Sequence, residues 1–156
     1  MKSHAKVVVI GGGVVGCSVL YHLTKFGWTD VVLLERSELT SGSTWHAAGG
    51  MHTINGDPNV AKLQKYTVDL YKEIEDYSGQ YIGLHMTSGL MLAATSERFD
   101  WMKSLLAKGK YAGGEAVLIS AREAHEMMPL LDPDQFVGAV FDPHEGHLDP
   151  YGTTHA

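Results

Sequence analysis

The feature that most constrains this chain is a glycine turn, Gly11-Gly12-Gly13-Val14-Val15-Gly16, placed directly behind the β-branched run Val7-Val8-Val9-Ile10. A glycine run alone says little, because such turns are common. Its surroundings say more. Lys6–Ile10 has the composition of a buried parallel strand. Val15, Val19, Leu20, Leu23 and Phe26 then recur at helical spacing, and Gly27 stands where a C′ glycine stops a helix. Val31-Val32-Leu33-Leu34 is a second apolar run, closed by Glu35. Strand, helix and strand inside about 30 residues make one βαβ unit with a right-handed crossover.

Each part of the turn has a physical reason. Gly11 permits the tight turn, Gly13 lets the backbone approach a pyrophosphate, and Gly16 lets the helix pack closely on the strand. The free N–H groups and dipole at the helix N-terminus favour the same negative charge. Glu35 can accept hydrogen bonds from ribose hydroxyls and would repel a 2′-phosphate. A dinucleotide with an ADP end is therefore expected, with NADP disfavoured. The glycines do not separate NAD from FAD, since both present the same ADP moiety.

Composition excludes several other classes. The 156 residues are 44% hydrophobic and 19% charged, which suits an ordinary globular domain with a real core. Lysine and arginine total 12 against 18 acidic residues, a net charge of −6. That balance argues against a nucleic-acid surface or a polybasic membrane patch. No apolar run approaches the roughly 20 residues of a membrane-spanning helix. The first apolar stretch lacks a small-residue cleavage site, so no signal peptide is expected. Cys17 is the single cysteine, which precludes an internal disulfide and suits a reducing compartment such as the bacterial cytoplasm, or the mitochondrial matrix after processing. Cys17 lies on the first helical turn, where packing against the strand is expected.

Residues 36–56 are rich in serine, threonine, glycine and histidine, and a loop this long inside a domain reads as functional. Asp57-Pro58 is an N-cap and N1 proline, opening a helix to about Ser78 with Val60, Leu63, Leu70, Ile74 and Tyr77 on its apolar side. Strands are expected at Ile82–Met86 and Leu90–Ala94, joined through Thr87-Ser88-Gly89, and again at Ala116–Ile119 and Gln135–Phe141. Ser96 can cap a helix to about Lys108, and Ser120-Ala121-Arg122-Glu123 is a capping box for a short helix before Pro129. The fold class expected is α/β: a Rossmann-like unit with its loop over 1–56, then part of a mixed α+β substrate region over 57–150. Asp149-Pro150 begins a further helix, so the chain reads as a piece of a longer protein.

The remaining histidines and tyrosines carry less. His144-Glu145-Gly146-His147 with Asp149 lacks the i, i+4 spacing of a helical zinc motif and reads as a turn between prolines, so no metal is expected. His52 and His85 have no role fixed by the sequence. Tyr66, Tyr71, Tyr77 and Tyr81 suit a helix face and its exit.

The segment Ser41-Gly42-Ser43-Thr44-Trp45-His46-Ala47-Ala48-Gly49 follows Val31–Thr40 and closely resembles the dimethylglycine dehydrogenase and sarcosine dehydrogenase family. That family lies within the D-amino-acid-oxidase-like FAD oxidoreductases. The resemblance continues through Ser88-Gly89, Pro129-Leu130-Leu131 and Gly146–Tyr151, and so spans nearly the whole chain. It implies FAD, bonded covalently through His46 to the 8α carbon of the flavin. It also implies Val14 and Val15 beside the pyrophosphate, Glu35 and Arg36 at the ribose, and Gly42–Gly50 along the flavin. The implied activity is hydride transfer from the N-methyl group of dimethylglycine or sarcosine. Electrons would pass to an electron-transfer flavoprotein, a quinone or oxygen, and tetrahydrofolate would take the one-carbon unit in a separate C-terminal domain. The catalytic and substrate-binding residues are expected outside these 156 residues, which alone should show no turnover. Two other readings are an NAD-linked Rossmann protein and a non-catalytic flavin-binding relative.

Overall fold

The structure is a computed structural model that describes residues 3–111 and 113–156. In chain order, strand β1 is Val7–Ile10, helix α1 Val14–Lys25, β2 Val31–Leu34, β3 Gly50–Met51, α2 Pro58–Ser78 and β4 Gly89–Ala93. These are followed by α3 Ser96–Tyr111, β5 Val117–Ser120, α4 Ala121–Met127, β6 Gly138–Asp142, β7 Gly146–His147 and α5 Pro150–His155. Short 3-10 turns cover Thr44–His46 and Pro133–Gln135. The chain divides into two compact units.

The first unit comprises residues 1–49, 74–83 and 148–156. Strands β1 and β2 pair in parallel, Val7 opposite Val31 and Ile10 opposite Leu34, with α1 as the crossover. Helix α1 ends as its sequence predicts. Gly27 sits at φ +85°, its N–H donates to the Thr24 carbonyl, and the Trp28 N–H donates to the Leu23 carbonyl. This is the Schellman arrangement, and a glycine is what lets the chain enter it. Helix α5 packs on α1 and on the 44–46 turn. Its cap is Asp149, which accepts from the Tyr151 and Gly152 amides, with Pro150 at N1. The Gln80 amide donates to the Gly152 carbonyl, and fully buried Ile82 accepts from the Asp149 N–H.

One expectation fails here. The β1 and β2 runs read as strands buried on both faces, yet Ile10 is 85% exposed and Val8 48%. A two-stranded sheet gives each strand one neighbour and covers only part of each face, so the pattern of exposure alternates along β1.

The second unit holds residues 50–73 and 84–147. Its centre is an antiparallel sheet in the order β4-β6-β5. Ala93 and Val140 from that sheet pack with Met102 and Leu106 of α3 and with Ala116, while Ala124 of α4 joins Phe136 and Ala139. Helix α4 carries the predicted capping box: the Glu123 N–H donates to Ser120 Oγ, and Glu123 Oε2 accepts from the Ser120 N–H. Buried Asp142 accepts from Thr53 Oγ1 at 2.6 Å and from the His144 N–H at 3.0 Å.

Three other expectations are corrected. Residues 82–86 form no strand; His85 makes an isolated bridge to His147, with N–H···O bonds in both directions. Positive φ at Gly83 (+65°) breaks the extended run. The last strand starts at Gly138 rather than Gln135, because Asp132 caps the 3-10 turn over Pro133–Gln135. On α2 the buried residues are Ala61, Val68 and Leu70, whereas Val60, Leu63 and Tyr77 are exposed. The sequence stripe followed the larger side chains, and small Ala61 marks the close-packed face instead.

Candidate dinucleotide site

The site belongs to the first unit and is built on the turn between β1 and α1. The Gly11 N–H donates to the Leu34 carbonyl at 2.8 Å, which ties the turn to the end of β2. Gly11 stands at φ +108°, a backbone conformation costly for any residue bearing a β-carbon. At Gly16 a β-carbon would lie 1.9 Å from the Gly11 carbonyl oxygen, so the helix start can cross the strand end only as glycine.

The N-cap of α1 is Gly13, which has no side chain to offer. The capping acceptor comes from the loop instead: Thr44 Oγ1 accepts from the Val14 N–H at 3.0 Å. Among the described residues no acceptor meets the N–H groups of Gly13, Val15 or Gly16. Three donors gathered at a helix N-terminus, with no β-carbon on two of them, form a cradle that suits phosphate oxygens. The cradle fits the pyrophosphate of a dinucleotide.

Glu35 holds the turn closed. Its Oε2 accepts from the Gly12 N–H at 2.7 Å and its Oε1 from the Ser37 N–H at 2.9 Å. Chiefly the Gly12 bond, then the Ser37 bond, hold its carboxyl below the ordinary glutamate value, with the exposed Arg36 guanidinium a smaller contribution. Each oxygen keeps a further lone pair for an outside donor such as a ribose hydroxyl. The carboxylate thus carries a turn-locking role that sequence reading assigned wholly to ligand binding.

The loop carrying His46 is fastened to the same turn. Thr40 is 2% exposed and sits at φ +68°, unusual for a β-branched residue. Its N–H donates to the Gly12 carbonyl at 2.9 Å, and its carbonyl accepts from the Trp45 N–H at 3.4 Å. Trp45 and His46 are both exposed, their rings 4.3 Å apart. His46 Nδ1 lies 3.1 Å from the Gly42 carbonyl oxygen. A carbonyl only accepts, so Nδ1 bears the proton of the neutral ring and Nε2 bears a lone pair. Ser43 starts the 3-10 turn and Ala47 ends it. Ala48 is exposed, and Gly49 at φ +74° passes where a β-carbon would meet the Leu148 carbonyl oxygen at 2.1 Å.

The first unit therefore gathers Gly11, Gly13, Val14, Val15, Gly16, Glu35, Arg36 and the segment from Gly42 to Gly49. Gly50 falls in the second unit, where it opens β3 opposite His147. Gly12, Thr40 and the Leu148 carbonyl are the participants that sequence reading missed. A threonine in a threonine-rich loop carries no signal of burial or of positive φ, although the triple glycine did mark Gly12.

The other candidate groups lie elsewhere or do other work. Burial, followed by the Glu35 charge, pushes the Cys17 thiol above its ordinary value, the direction of a packed cysteine rather than a reactive one. In the second unit His52 Nδ1 pairs with Glu145 at 3.1 Å, and His144 Nε2 with Glu115 at 3.0 Å. Among the described residues no group of three His, Cys, Asp or Glu could hold a metal ion. No helix among them is long and apolar enough to cross a membrane.

A parallel βαβ unit with this amide cradle defines a dinucleotide-binding protein of the Rossmann class. More particularly, the chain belongs to the FAD dependent oxidoreductase family, which it matches over residues 6–156. It is 42% identical to mitochondrial dimethylglycine dehydrogenase of Rattus norvegicus over 99% of its own length and 18% of that protein. It is 40% identical to mitochondrial sarcosine dehydrogenase of Homo sapiens over 98% of its length and 17% of that protein. Among solved structures, L-proline dehydrogenase from P. horikoshii superposes with a TM-score of 0.92 at 29% identity, covering 99% of this chain and 41% of that one. The chain thus spans less than a fifth of these two dehydrogenases.

Proposed function

We propose that the protein is an FAD-dependent amine dehydrogenase or oxidase acting on the N-methyl group of a methylated glycine, dimethylglycine or sarcosine. The observation that carries this reading is His46, on a loop fastened to the amide cradle, with its proton held at Nδ1 by the Gly42 carbonyl. The likeness to dimethylglycine and sarcosine dehydrogenases supports the substrate class.

When bound, FAD supplies the two-electron acceptor for the hydride equivalent that leaves the N-methyl carbon. The residues of this chain hold it. The Gly13, Val15 and Gly16 amides would receive the pyrophosphate oxygens, with Gly11 and Val14 shaping the turn. Glu35 and Arg36 would take the ribose end, and Gly42–Gly49 would line the flavin. His46 Nε2 would be the atom that bonds the 8α carbon, the C–H bond broken there giving its proton to solvent and its electron pair to the flavin ring.

Beyond this chain, the electrons pass to an electron-transfer flavoprotein, a quinone or oxygen, and tetrahydrofolate takes the one-carbon unit. The single cysteine suits a reducing compartment, the bacterial cytoplasm, with the mitochondrial matrix as the second reading that the names of the matching dehydrogenases favour. The test is anaerobic mixing of the full-length protein with dimethylglycine or sarcosine. Bleaching of the flavin's visible absorbance is expected. A protein that binds NADH and shows no flavin absorbance would overturn the reading.

A further inference from the structure

We propose that the cavity between α2 and the end of α3 is a binding site for a small organic carboxylate, its hydrocarbon part on the buried floor and its charge at Lys62 and Lys110. Every lining residue belongs to the second unit, and none is among the groups assigned above to FAD. The floor is apolar because core elements end there. Ala61 and Val68 are the buried residues of one face of α2. Buried Leu106 of α3, buried Ala116 and partly buried Ile54 complete it. A water-accessible volume of about 60 Å³ has room for about four to six non-hydrogen atoms, which suits a short acid rather than a nucleotide.

The rim decides the charge of the ligand. Lys62, Lys65 and Lys110 line the cavity together with two acidic residues, Asp69 and Glu115. Both acids already have partners: Asp69 Oδ2 lies 3.5 Å from Lys65 Nζ, and Glu115 Oε2 lies 3.0 Å from His144 Nε2. Among the described residues Lys62 and Lys110 have no ion pair. Two ammonium groups from different helices thus make a positive spot on a chain of net charge −6. Lysine stems can lie along apolar surface while their heads stay in water. An inorganic oxyanion would use the lysines but not the floor, and an amine would use the floor but meet like charge. A carboxylate on a hydrocarbon stem uses both.

Ligand-observed NMR titration of the full-length protein with n-butyrate tests this site. A Kd of about 1 mM is expected, about tenfold tighter than for acetate, which lacks two methylenes. Inorganic phosphate and n-butylamine should both bind more weakly than butyrate. Combining Lys62→Gln with Lys110→Gln should weaken butyrate about tenfold, whereas Lys62→Arg with Lys110→Arg should stay within about twofold of the wild type. Thermal melting establishes that each variant is folded. If the double glutamine variant fails to fold, Lys62→Gln and Lys110→Gln made singly serve the same comparison, each losing about threefold. Equal butyrate affinity in the wild type and the glutamine variants would overturn the proposal. So would phosphate binding more tightly than butyrate, or no butyrate binding at all. Butyrate that dimethylglycine displaces and that ignores the lysine changes occupies another site, which also overturns it.

Discussion

Gly16 has no space for even one methyl group, because the Gly11 carbonyl oxygen occupies the position a β-carbon would take. Gly16→Ala must part the helix start from the strand end, and about 1–3 kcal/mol of stability should be lost in a denaturant melt. Glu35 governs the same turn through charge. Its folded carboxyl lies below the ordinary value of 4.5, so its contribution to stability is complete above that value and is lost as pH falls through the folded one. Melting temperature measured on descending below pH 4.5 should therefore fall more steeply in the wild type than in Glu35→Gln. An equal slope in both would show that the Gly12 and Ser37 bonds do not favour the carboxylate. At Cys17, the raised thiol pKa predicts slow alkylation by iodoacetamide at neutral pH, speeding only when the chain unfolds.

At the scale of elements, helix α4 depends on the reciprocal bonds of Ser120 and Glu123. Ser120→Ala removes one acceptor and should cost about 1 kcal/mol in the same melt. Elements with such local signals were legible in the sequence: α4 through its capping box, α5 through Asp149-Pro150, and α1 through Gly27. The βαβ unit was legible too, since its glycines answer to contacts within a few residues of the turn. What escaped depends on pairing across long sequence distances. Ile82–Met86 has strand-like composition, yet it finds a partner only where His85 meets His147. Strands β3 and β7, two residues each, pair Gly50 with His147 across the whole second unit and have no periodicity to reveal them. Thr40 belongs with these. Its role comes from the glycine turn it reaches, and nothing in its neighbours announces it.

The whole molecule divides into two compact units. The first unit carries the amide cradle, Glu35 and the His46 turn, while the second is an antiparallel sheet backed by helices. The proposed protein is an amine-oxidising flavoprotein whose cofactor is fixed through His46 of the first unit. Denaturing-gel electrophoresis of the full-length protein, read by flavin fluorescence, bears on that proposal at its narrowest point. Fluorescence should travel with the polypeptide in the wild type and disappear in His46→Ala. Flavin released free from the wild type, or still attached in His46→Ala, would contradict it.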